Sequence, residues 1–340
     1  MRRFIIPLFI FFISLQANSQ KSDNSFTLVF YNLEDLYDTI DTPGVDDDEF
    51  TPESEKKWNT AKYTNKINEL AKVLSSINED ELPEVIGLAE IENLNVLRDL
   101  LKTNYLRKGN YGIIHKDSPD KQGIDVAMLY RKDEFKDVGQ EITKVSFPFD
   151  STMTSRDILH VYGKISDGQE MHFYVNHWKS RTGGQRETEP LRMYCAVALR
   201  RNIDMLLSRD SRARIVIMGD FNDDPTNKSI MNVMQASNKR RNLMTGEFYN
   251  LMYDKHNLGQ TGSFLNQGIW YMPDQIIISY NLLTATEGYR CNYESGQIFK
   301  ADWMMSVNNE GEAAPNSTYN GNKYSGGVSD HLPVFLMLTR

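Results

Sequence analysis

Short apolar runs, each closed or opened by a polar residue, recur along the whole chain. Their length and near-continuous hydrophobicity are typical of strands buried on both faces. The pattern predicts strands at residues 27–31, 85–89, 123–130, 158–162, 171–176, 215–217, 276–279 and 332–336.

Helical periodicity separates these strand candidates. It predicts helices at residues 61–77, 94–101, 191–207 and 229–237. Alternation of strands and helices, taken alone, favours a parallel Rossmann-like sheet. No repeat, low-complexity linker or break in composition interrupts residues 26–338, so the sequence predicts one domain over residues 20–340.

The first residues have the pattern of a secretory signal peptide. Arg2 and Arg3 precede an apolar run over residues 4–15, and Ala17 and Ser19 supply a small-x-small cleavage site. The run is shorter than the roughly 20 residues of a transmembrane helix. We therefore expect a signal peptide over residues 1–19, a secreted or periplasmic protein, and no stable membrane anchor.

The composition is acidic, with a formal charge of −8 that becomes −10 when Arg2 and Arg3 leave with the signal peptide. Tight nonspecific binding to duplex nucleic acid normally needs a basic surface, so it is not expected. Residues 38–57 are dense in acids and predict a long surface loop, and the Asn-, Gly- and Ser-rich residues 307–328 predict a mobile loop. Cys195 falls on a predicted helix, which favours a buried free thiol, and its pairing with Cys291 stays open.

Polar side chains at the strand ends are candidates for a site. Asn32, Glu90 and His177 each end an apolar run, and Asp330-His331 precedes one. After residues 215–217, Asp220 and Asn222 point the same way if the backbone stays extended through Phe221. A capped turn is the alternative interpretation of that segment.

Several of these motifs together resemble the endonuclease/exonuclease/phosphatase superfamily, which has the DNase I-like fold. The residues that carry the resemblance are Asn32, Glu90, residues 154–157 (Thr-Ser-Arg-Asp), residues 219–222 (Gly-Asp-Phe-Asn), residues 273–275 (Pro-Asp-Gln) and residues 329–331 (Ser-Asp-His). The resemblance implies an α/β (α+β) four-layer sandwich, in which two packed, mostly antiparallel β-sheets are flanked by helices. Residues 176–184 look most like the secreted bacterial nucleases of that superfamily.

Phosphoester hydrolysis assisted by a divalent metal is the chemistry that the resemblance implies. Carboxylate and amide oxygens suit hard cations, so Asn32, Glu90 and Asp330 are the predicted metal ligands. Mg²⁺ is the expected ion, with Mn²⁺ as an alternative and Ca²⁺ as a structural partner.

The remaining roles follow from the chemistry of the side chains and from the resemblance. His331, supported by Asp274, is the candidate general base, and water activation by Asp220 is the open alternative. His177 is placed to stabilise or protonate phosphate oxygens, and Asp125 matches the position that supports such a histidine. Arg156 and Asn176 are the predicted phosphate-binding residues, with Asn222 beside Asp220 in the catalytic set.

Other polar residues give weaker signals. His115, His160, His172 and His256 show no partner in the sequence, so solvated or core roles are expected for them. Basic residues after His177 would suit a phosphate-backbone track with one stacking ring: Trp178, Lys179, Arg181, Arg186 and Arg192. A charged loop followed by a helix N-terminus explains them nearly as well.

The sequence thus favours a secreted, metal-dependent nuclease or phosphodiesterase, expected to be a monomer that acts on nucleic acid or another phosphoester. One alternative is a phosphatase or a sphingomyelinase-like phospholipase. The lipid enzyme would need an exposed aromatic hairpin, which residues 269–272 could supply, although their position before Asp274 favours a strand. A non-catalytic binding module is the second alternative, disfavoured because every expected catalytic residue type is present.

Overall fold

The computed structural model describes residues 25–78, 80–259, 261–307 and 311–340. The predicted signal peptide lies outside these residues. The described residues form two large sheets, sheet A and sheet B, with helices and three small two-stranded sheets.

The elements are numbered in chain order. The strands are β1 (Ser25–Leu36), β2 (Val85–Ile91), β3 (Tyr111–His115), β4 (Asp125–Arg131), β5 (Phe135–Thr143), β6 (Ile158–Ile165), β7 (Glu170–His177), β8 (Ile215–Asp220), β9 (Ala236–Ser237), β10 (Phe248–Asn250), β11 (Phe264–Asn266), β12 (Ile269–Tyr271), β13 (Asp274–Ser279), β14 (Gln297–Ile298), β15 (Met305–Val307), β16 (Ala313–Pro315), β17 (Tyr319–Asn320), β18 (Lys323–Tyr324) and β19 (Val334–Thr339). The helices are α1 (Thr60–Ser76), α2 (Leu94–Lys102), α3 (Gln185–Arg209), α4 (Tyr253–Asn257) and α5 (Tyr280–Leu283).

Each large sheet has a parallel pair of strands near its centre, and sheet B has a second parallel pair, β9 and β10, at one edge. Sheet A has the order β14-β19-β1-β2-β4-β3, and α1 connects its parallel strands β1 and β2. Sheet B has the order β5-β6-β7-β8-β13-β10-β9, and α3 connects its parallel strands β7 and β8. The strands beside each pair run antiparallel to it. Each central pair therefore brings two carboxyl ends to the same edge of its sheet, which is where the sequence places its polar residues.

The two sheets pack face to face with helices outside them. In β1, Leu28 and Phe30 lie in the core between the sheets, whereas Val29 and Tyr31 pack against α1 and α2. Sheet B repeats this arrangement, with α3 covering its outer face. The four-layer prediction is confirmed, and the parallel Rossmann-like alternative is wrong because short returns make most neighbouring strands antiparallel.

Local sequence determines where the first two helices begin. Asn59 Oδ1 accepts the backbone N–H groups of Ala61 and Lys62, and Asn93 does the same for the start of α2. These caps satisfy N–H groups that have no partner inside the helix. The predicted helix over 229–237 is wrong in its second half, because a five-residue turn of π-helix, Ser229–Val233, gives way to β9.

The two predicted loops differ from one another. Residues 38–57 are irregular apart from a single turn at Asp48–Phe50, as expected. Residues 307–328, predicted to be one loop, carry β16 and the hairpin β17–β18. Cys195 and Cys291 are both buried free thiols. Across the described ranges, no helix has the length and apolar character needed to span a bilayer.

Two buried histidines lie on the outer face of sheet B. His160 Nε2 and His172 Nδ1 are 3.0 Å apart, and the His160 ring stacks on Tyr174. The core role expected for these histidines agrees with their burial, and the structure adds that each is the partner of the other. Burial lowers the pKa of His160 to about 3, and burial also lowers the pKa of His172.

This histidine pair makes folding sensitive to acid. Because the folded pKa of His160 lies below the unfolded value of about 6.5, its contribution to stability is present above that pH and is lost as the pH falls towards about 3. Between pH 7 and 5 we expect His160 alone to lower the free energy of unfolding by about 2 kcal/mol. Urea unfolding at both pH values, with EDTA, measures this. His160→Gln should lose less stability on acidification, and an equal loss in both proteins would contradict the assignment.

Candidate active site

The two central parallel pairs deliver polar side chains to one end of the space between the sheets. Asn32 Nδ2 donates to Glu90 Oε1 at 3.0 Å and to Asp220 Oδ2 at 2.9 Å. His177 Nε2 lies 3.7 Å from the same two carboxylate oxygens. Residues far apart in the sequence, two from each sheet, therefore form one cluster.

Glu90 reaches this cluster only because its strand is irregular. Val85 and Ala89 of β2 face the inter-sheet core, and Ile86 and Leu88 face the helices, so regular alternation would turn Glu90 towards the helices. Instead Glu90 has a φ of 62°, and the β2 register shifts between residues 89 and 91. This bulge redirects the carboxylate into the site.

The segment after β8 turns sharply at Asn222. Its φ is 51°, so the backbone is not extended at Asn222. The Asn222 backbone N–H donates to Asp220 Oδ1 at 2.8 Å, and its Nδ2 donates to the Trp178 carbonyl at 3.1 Å. Asn222 therefore holds Asp220 and the β7 end in place through a turn, the alternative interpretation of this segment.

His331 and Asp274 form a hydrogen-bonded pair beside Asp220. His331 Nδ1 lies 2.6 Å from Asp274 Oδ2, and Nε2 lies 4.0 Å from Asp220 Oδ2 and from Asp330 Oδ1. Burial lowers the pKa of His331, but the charges of Asp274 and Asp330 outweigh it and hold that pKa well above its usual value. The pair places one imidazole nitrogen towards the carboxylate cluster.

His177 lies in an environment that disfavours its charged form. Burial, followed by the positive charges of Arg156, His331 and Lys179, holds its pKa well below the usual value. Its Nδ1 is buried, and within the described ranges no atom hydrogen-bonds to it. The pKa values of the two site histidines are therefore shifted in opposite directions, because burial dominates at His177 whereas the charges of Asp274 and Asp330 outweigh burial at His331.

The predicted support of His177 by Asp125 is wrong. Asp125 accepts hydrogen bonds from the Ser118 backbone and hydroxyl, and its other oxygen lies 3.0 Å from His115 Nε2. In β4, Val126 and Met128 face the inter-sheet core, so Asp125 lies on the opposite face, away from His177. His115, for which the sequence showed no partner, is thus held by Asp125.

Arg156 is buried, with 4% of its surface exposed, and does not pair with Asp157. Its guanidinium contacts Asp120 Oδ2 at 3.3 Å and donates to the Trp178 carbonyl at 2.8 Å. Lys179 reaches the same Asp120 oxygen at 3.3 Å. Asp120, which no sequence signal identified, thus holds two cations near His177, and the buried Arg156 Nε keeps a donor without a partner among the described residues.

Asn176 does not face the site. In β7, Phe173 and Val175 face the inter-sheet core, which turns Asn176 outwards. Its amide donates to the Met218 carbonyl at 3.2 Å and accepts from Trp178 Nε1 at 3.2 Å. The prediction that Asn176 binds phosphate is therefore wrong.

The predicted basic track after His177 is also largely structural. Trp178 is buried, and Arg192 is fully buried in an ion pair with Asp223 at 2.7 Å. Arg181 donates to the Asn222 carbonyl at 2.7 Å and lies over the Tyr271 ring. Only part of this segment is accessible to a ligand.

The predicted metal ligands do not all present oxygens. Glu90 and Asp330 have partly exposed carboxylates, with 19% and 38% of their side chains accessible. Asn32 Oδ1, however, accepts the Glu34 backbone N–H at 3.0 Å, which turns Nδ2 towards the carboxylates. Asn32 thus bridges the carboxylates, and the expectation that it offers its oxygen to a metal is wrong.

The crowding of acids indicates what this cluster binds. Desolvation and the Glu90 charge raise the pKa of Asp35 to about 7, and desolvation and Asp274 raise the pKa of Asp220. Glu90, His177 and Asp220 could hold an ion, as could Asp220, Asp274 and His331. A hard divalent cation would relieve this repulsion, so the donor set fits Mg²⁺ or Mn²⁺.

A buried lysine ties the site to the chain that precedes Asp330. Lys66 Nζ donates to the Glu34 carbonyl and to Thr318 Oγ1, and Glu34 Oε2 accepts the Thr318 backbone N–H at 2.7 Å. Ser329 Oγ donates to the Asn32 carbonyl at 2.8 Å. Sequence analysis missed this connection, although Lys66 lies among the apolar positions of a predicted helix.

The hairpin β11–β12 packs against the His331 side of the site. The Phe264 ring stacks on His331 with centroids 4.8 Å apart, and the Ser263 carbonyl accepts the Leu332 N–H. Ser263 Oγ accepts the Asp274 N–H at 3.3 Å. This contact was not predicted, because nothing in the local sequence relates Phe264 to His331.

A model of the endonuclease/exonuclease/phosphatase family matches residues 27–340. The chain belongs to this family. Its members are phosphoester hydrolases that depend on divalent metal ions. No curated protein matches the chain.

Solved structures share the fold at low sequence identity. A family member from Bacteroides thetaiotaomicron is 18% identical, with a TM-score of 0.55, and the match covers 92% of this chain and 97% of that one. D. rerio TDP2 complexed with single-strand DNA product is 13% identical, with a TM-score of 0.56 and coverage of 93% and 99%. A mannosyl-6-phosphatase from B. thetaiotaomicron is 18% identical, with a TM-score of 0.53 and coverage of 93% and 100%. At these identities the similarity shows the fold alone.

Glu90→Gln tests the metal cluster. The substitution keeps the shape of the side chain but removes the charge that holds the cation, so phosphoesterase turnover should fall at least 10–100-fold and partly recover at high Mg²⁺. A Mg²⁺ titration of activity measures both effects. Glu294→Gln, at an 85% exposed side chain that pairs with Arg240, is the matched control. Turnover like that of the wild type at low Mg²⁺ would reject Glu90 as a principal ligand.

Substitution of the site histidines tests whether both act in one step. His331→Asn and His177→Asn should each lower kcat on the order of 10²–10⁴-fold with little change in KM. The double variant should lose much less than the product of the two losses, because both rings serve one transition state.

His172→Asn is the control for this pair of variants. His172 lies at the other end of β7 and packs on the outer face of sheet B, so this variant should keep its turnover although it is less stable. A loss of kcat equal to that of His177→Asn would remove the support for the strand faces assigned here.

Proposed function

We propose that this chain is a secreted, divalent-metal-dependent phosphodiesterase that cleaves nucleic acid as an endonuclease. One observation carries the proposal: Nε2 of His331 and Nε2 of His177 face the same Asp220 oxygen, at 4.0 and 3.7 Å. Two imidazoles at one reaction centre suit a hydrolysis in which one nitrogen accepts a proton from water and another group assists the leaving oxygen.

His331 acts as the general base in this proposal. The Asp274 carboxylate accepts the Nδ1 proton, which fixes the tautomer and leaves Nε2 to take a proton from the attacking water. As the water attacks phosphorus, Asp274 stabilises the imidazolium that forms. Glu90 and Asp330 would hold a divalent cation, which would supply positive charge to the phosphate oxygens and offset the carboxylates that raise the pKa of His331.

His177 and the cations beside it contact the phosphate. A neutral imidazole carries one proton on one of its two nitrogens. With its lowered pKa, His177 in the tautomer protonated at Nε2 can donate that proton to a phosphate oxygen or to the leaving alkoxide. Arg156 and Lys179 add positive charge on the same side, held by Asp120. This arrangement stabilises charge that develops on the phosphate as the bond breaks.

The second imidazole can protonate the alkoxide that leaves from either a diester or a monoester, so the choice of a diester rests on the similar structures. The similar structure of D. rerio TDP2, complexed with single-strand DNA product, supports a nucleic acid substrate. The net acidic charge implies weak binding with recognition centred on one phosphate, and hence a shallow dependence of affinity on salt.

The lipid alternative has one feature in its favour. The hairpin β11–β12 lies beside His331 and carries Ile269, with 55% of its surface exposed, next to Trp270. Its tip, residues 266–268, is Asn-Gln-Gly, however, and one exposed isoleucine gives less apolar surface than a membrane-binding patch requires.

A substrate panel with the mature chain tests the proposal. We expect Mg²⁺-dependent, EDTA-sensitive cleavage of bis(p-nitrophenyl) phosphate, single-stranded DNA, RNA and plasmid, with nicking of the plasmid at internal sites. p-Nitrophenyl phosphate, mannose 6-phosphate and sphingomyelin vesicles should react much more slowly. His331→Asn, purified in parallel, excludes a contaminating nuclease. Preference for the monoesters would replace the nuclease with a phosphatase, and preference for sphingomyelin would replace it with a phospholipase.

A further inference from the structure

A second group of titratable residues lies away from the active site, at the opposite end of β7 from His177. His160 and His172 share a contact of 3.0 Å on the outer face of sheet B. Glu141 of β5 and Glu170 of β7 lie at the two ends of this pair. A cavity of about 320 Å³, also lined by Asn202 of α3, opens onto all four side chains.

The four groups form a linear chain with three contacts between titratable atoms. His160 Nδ1 lies 3.6 Å from Glu141 Oε2, and His172 Nε2 lies 3.3 Å from Glu170 Oε1. Hydrogen bonds at all three contacts would need three ring protons, whereas two neutral imidazoles carry two. Burial lowers the pKa of both rings, so a third proton is costly near neutral pH.

Of the three contacts, the one between His160 Nδ1 and Glu141 is the one that lacks a proton. The 3.3 Å contact is within hydrogen-bonding distance, so His172 Nε2 donates to Glu170 and His172 Nδ1 accepts from His160 Nε2. His160 Nδ1 is then a bare lone pair that faces the Glu141 carboxylate. This atom is buried in a side chain that is 5% exposed, and no hydrogen-bond partner for it occurs within the described part of the chain.

We propose that His160 Nδ1 and Glu141 bind a divalent transition-metal ion, of the class of Zn²⁺ or Co²⁺, at a site separate from the active site. With bonds of about 2.0–2.1 Å to nitrogen and oxygen, their 3.6 Å separation gives an angle of about 120° at the ion, close to tetrahedral. Water in the cavity completes the coordination.

The surroundings of His160 favour a metal ligand. The bonds to His172 and onward to Glu170 fix the His160 tautomer with Nδ1 free, as outer hydrogen bonds do for metal-binding histidines. The Glu141 side chain is 55% exposed, which leaves the ion a path from solvent. The imidazole ligand selects borderline ions such as Zn²⁺ over Mg²⁺, whereas the oxygen-rich active site prefers the harder ion.

Co²⁺ titration of the full chain tests the site by spectroscopy. The protein carries His177→Asn, His331→Asn and His115→Asn, so that neither the active site nor the group of His115, Asp117 and Asp125 supplies an imidazole, and saturating Mg²⁺ occupies the oxygen ligands of the active site. We expect one Co²⁺ per chain, visible absorption bands of a low-coordinate ion, and a rise in melting temperature. Further substitution of His160→Asn should abolish the bands, and Glu141→Gln should weaken binding at least 10-fold.

Two more variants separate ligation from folding. His172→Asn removes the group that orients His160 but no ligand, so affinity should fall about 10–100-fold and the bands should return at high Co²⁺. His256→Asn, at a histidine of α4 beside Thr226, should bind Co²⁺ unchanged. Glu141→Gln alters an exposed side chain and should keep the fold, measured by circular dichroism.

Two outcomes would overturn the proposal. One is an unchanged Co²⁺ titration in the His160→Asn protein. The other is the absence of Co²⁺ binding together with proton uptake by the His160–His172 pair near pH 6. That result would show that a third proton, and not a metal ion, lies between His160 Nδ1 and Glu141.

Discussion

The hydrogen bonds from Asn32 Nδ2 to Glu90 and Asp220 are the contacts on which the active site depends. The bond to Glu90 links β1 to β2 within sheet A, and the bond to Asp220 joins sheet A to sheet B where the central parallel pairs end. The two carboxylates would otherwise repel one another, and the amide holds them in place in the absence of other charge. A shift of one sheet against the other would therefore separate the groups that the proposed chemistry needs together.

Close packing behind the site keeps the sheets in this register. A side chain at Gly87 would place its Cβ 2.8 Å from Met218 Sδ of the facing sheet. A side chain at Gly219 would place its Cβ 2.5 Å from the Asn176 carbonyl of the neighbouring strand. Gly87 lies three residues before Glu90, and Gly219 lies one residue before Asp220. The absence of a side chain at each glycine therefore permits the close packing that positions these two carboxylates.

Backbone strain is concentrated in the same region. Glu34, Asp35, Glu90 and Asn222 all have φ between 51° and 62°, a conformation that costs residues other than glycine on the order of 1 kcal/mol or more each. Hydrogen bonds offset part of this cost: the Asp35 N–H donates to Glu90 Oε2 at 2.8 Å, and the Asn222 N–H donates to Asp220 Oδ1. The bulges thus aim the side chains of the site, and the site's own hydrogen bonds stabilise the bulges.

The sequence by itself determined most of the long strands and helices, the strand ends that carry the site, and the family, but not the short strands within residues 229–237 and 307–328. Buried strands need near-continuous apolar runs, so the polar residues that interrupt them, such as Asp220 and His177, are visible without a structure. Asp274 and His331 were paired only through the family resemblance. Their 2.6 Å contact joins residues 57 positions apart, a separation that local patterns do not encode.

Only the tertiary structure decided which way each side chain faces. The alternation of side chains along a strand does not hold at a bulge, so Glu90 faces the site although its position in β2 predicts the opposite face. Asp125 and Asn176 follow the regular alternation of their strands and therefore face away from the site. The amide of Asn32 turns its nitrogen inwards because a backbone N–H two residues later takes its oxygen. The pairing of His160 with His172 was likewise decided by neighbouring strands that bring two unrelated stretches of sequence to within 3.0 Å. Packing and hydrogen bonding between distant segments select these orientations, and a one-dimensional pattern contains neither.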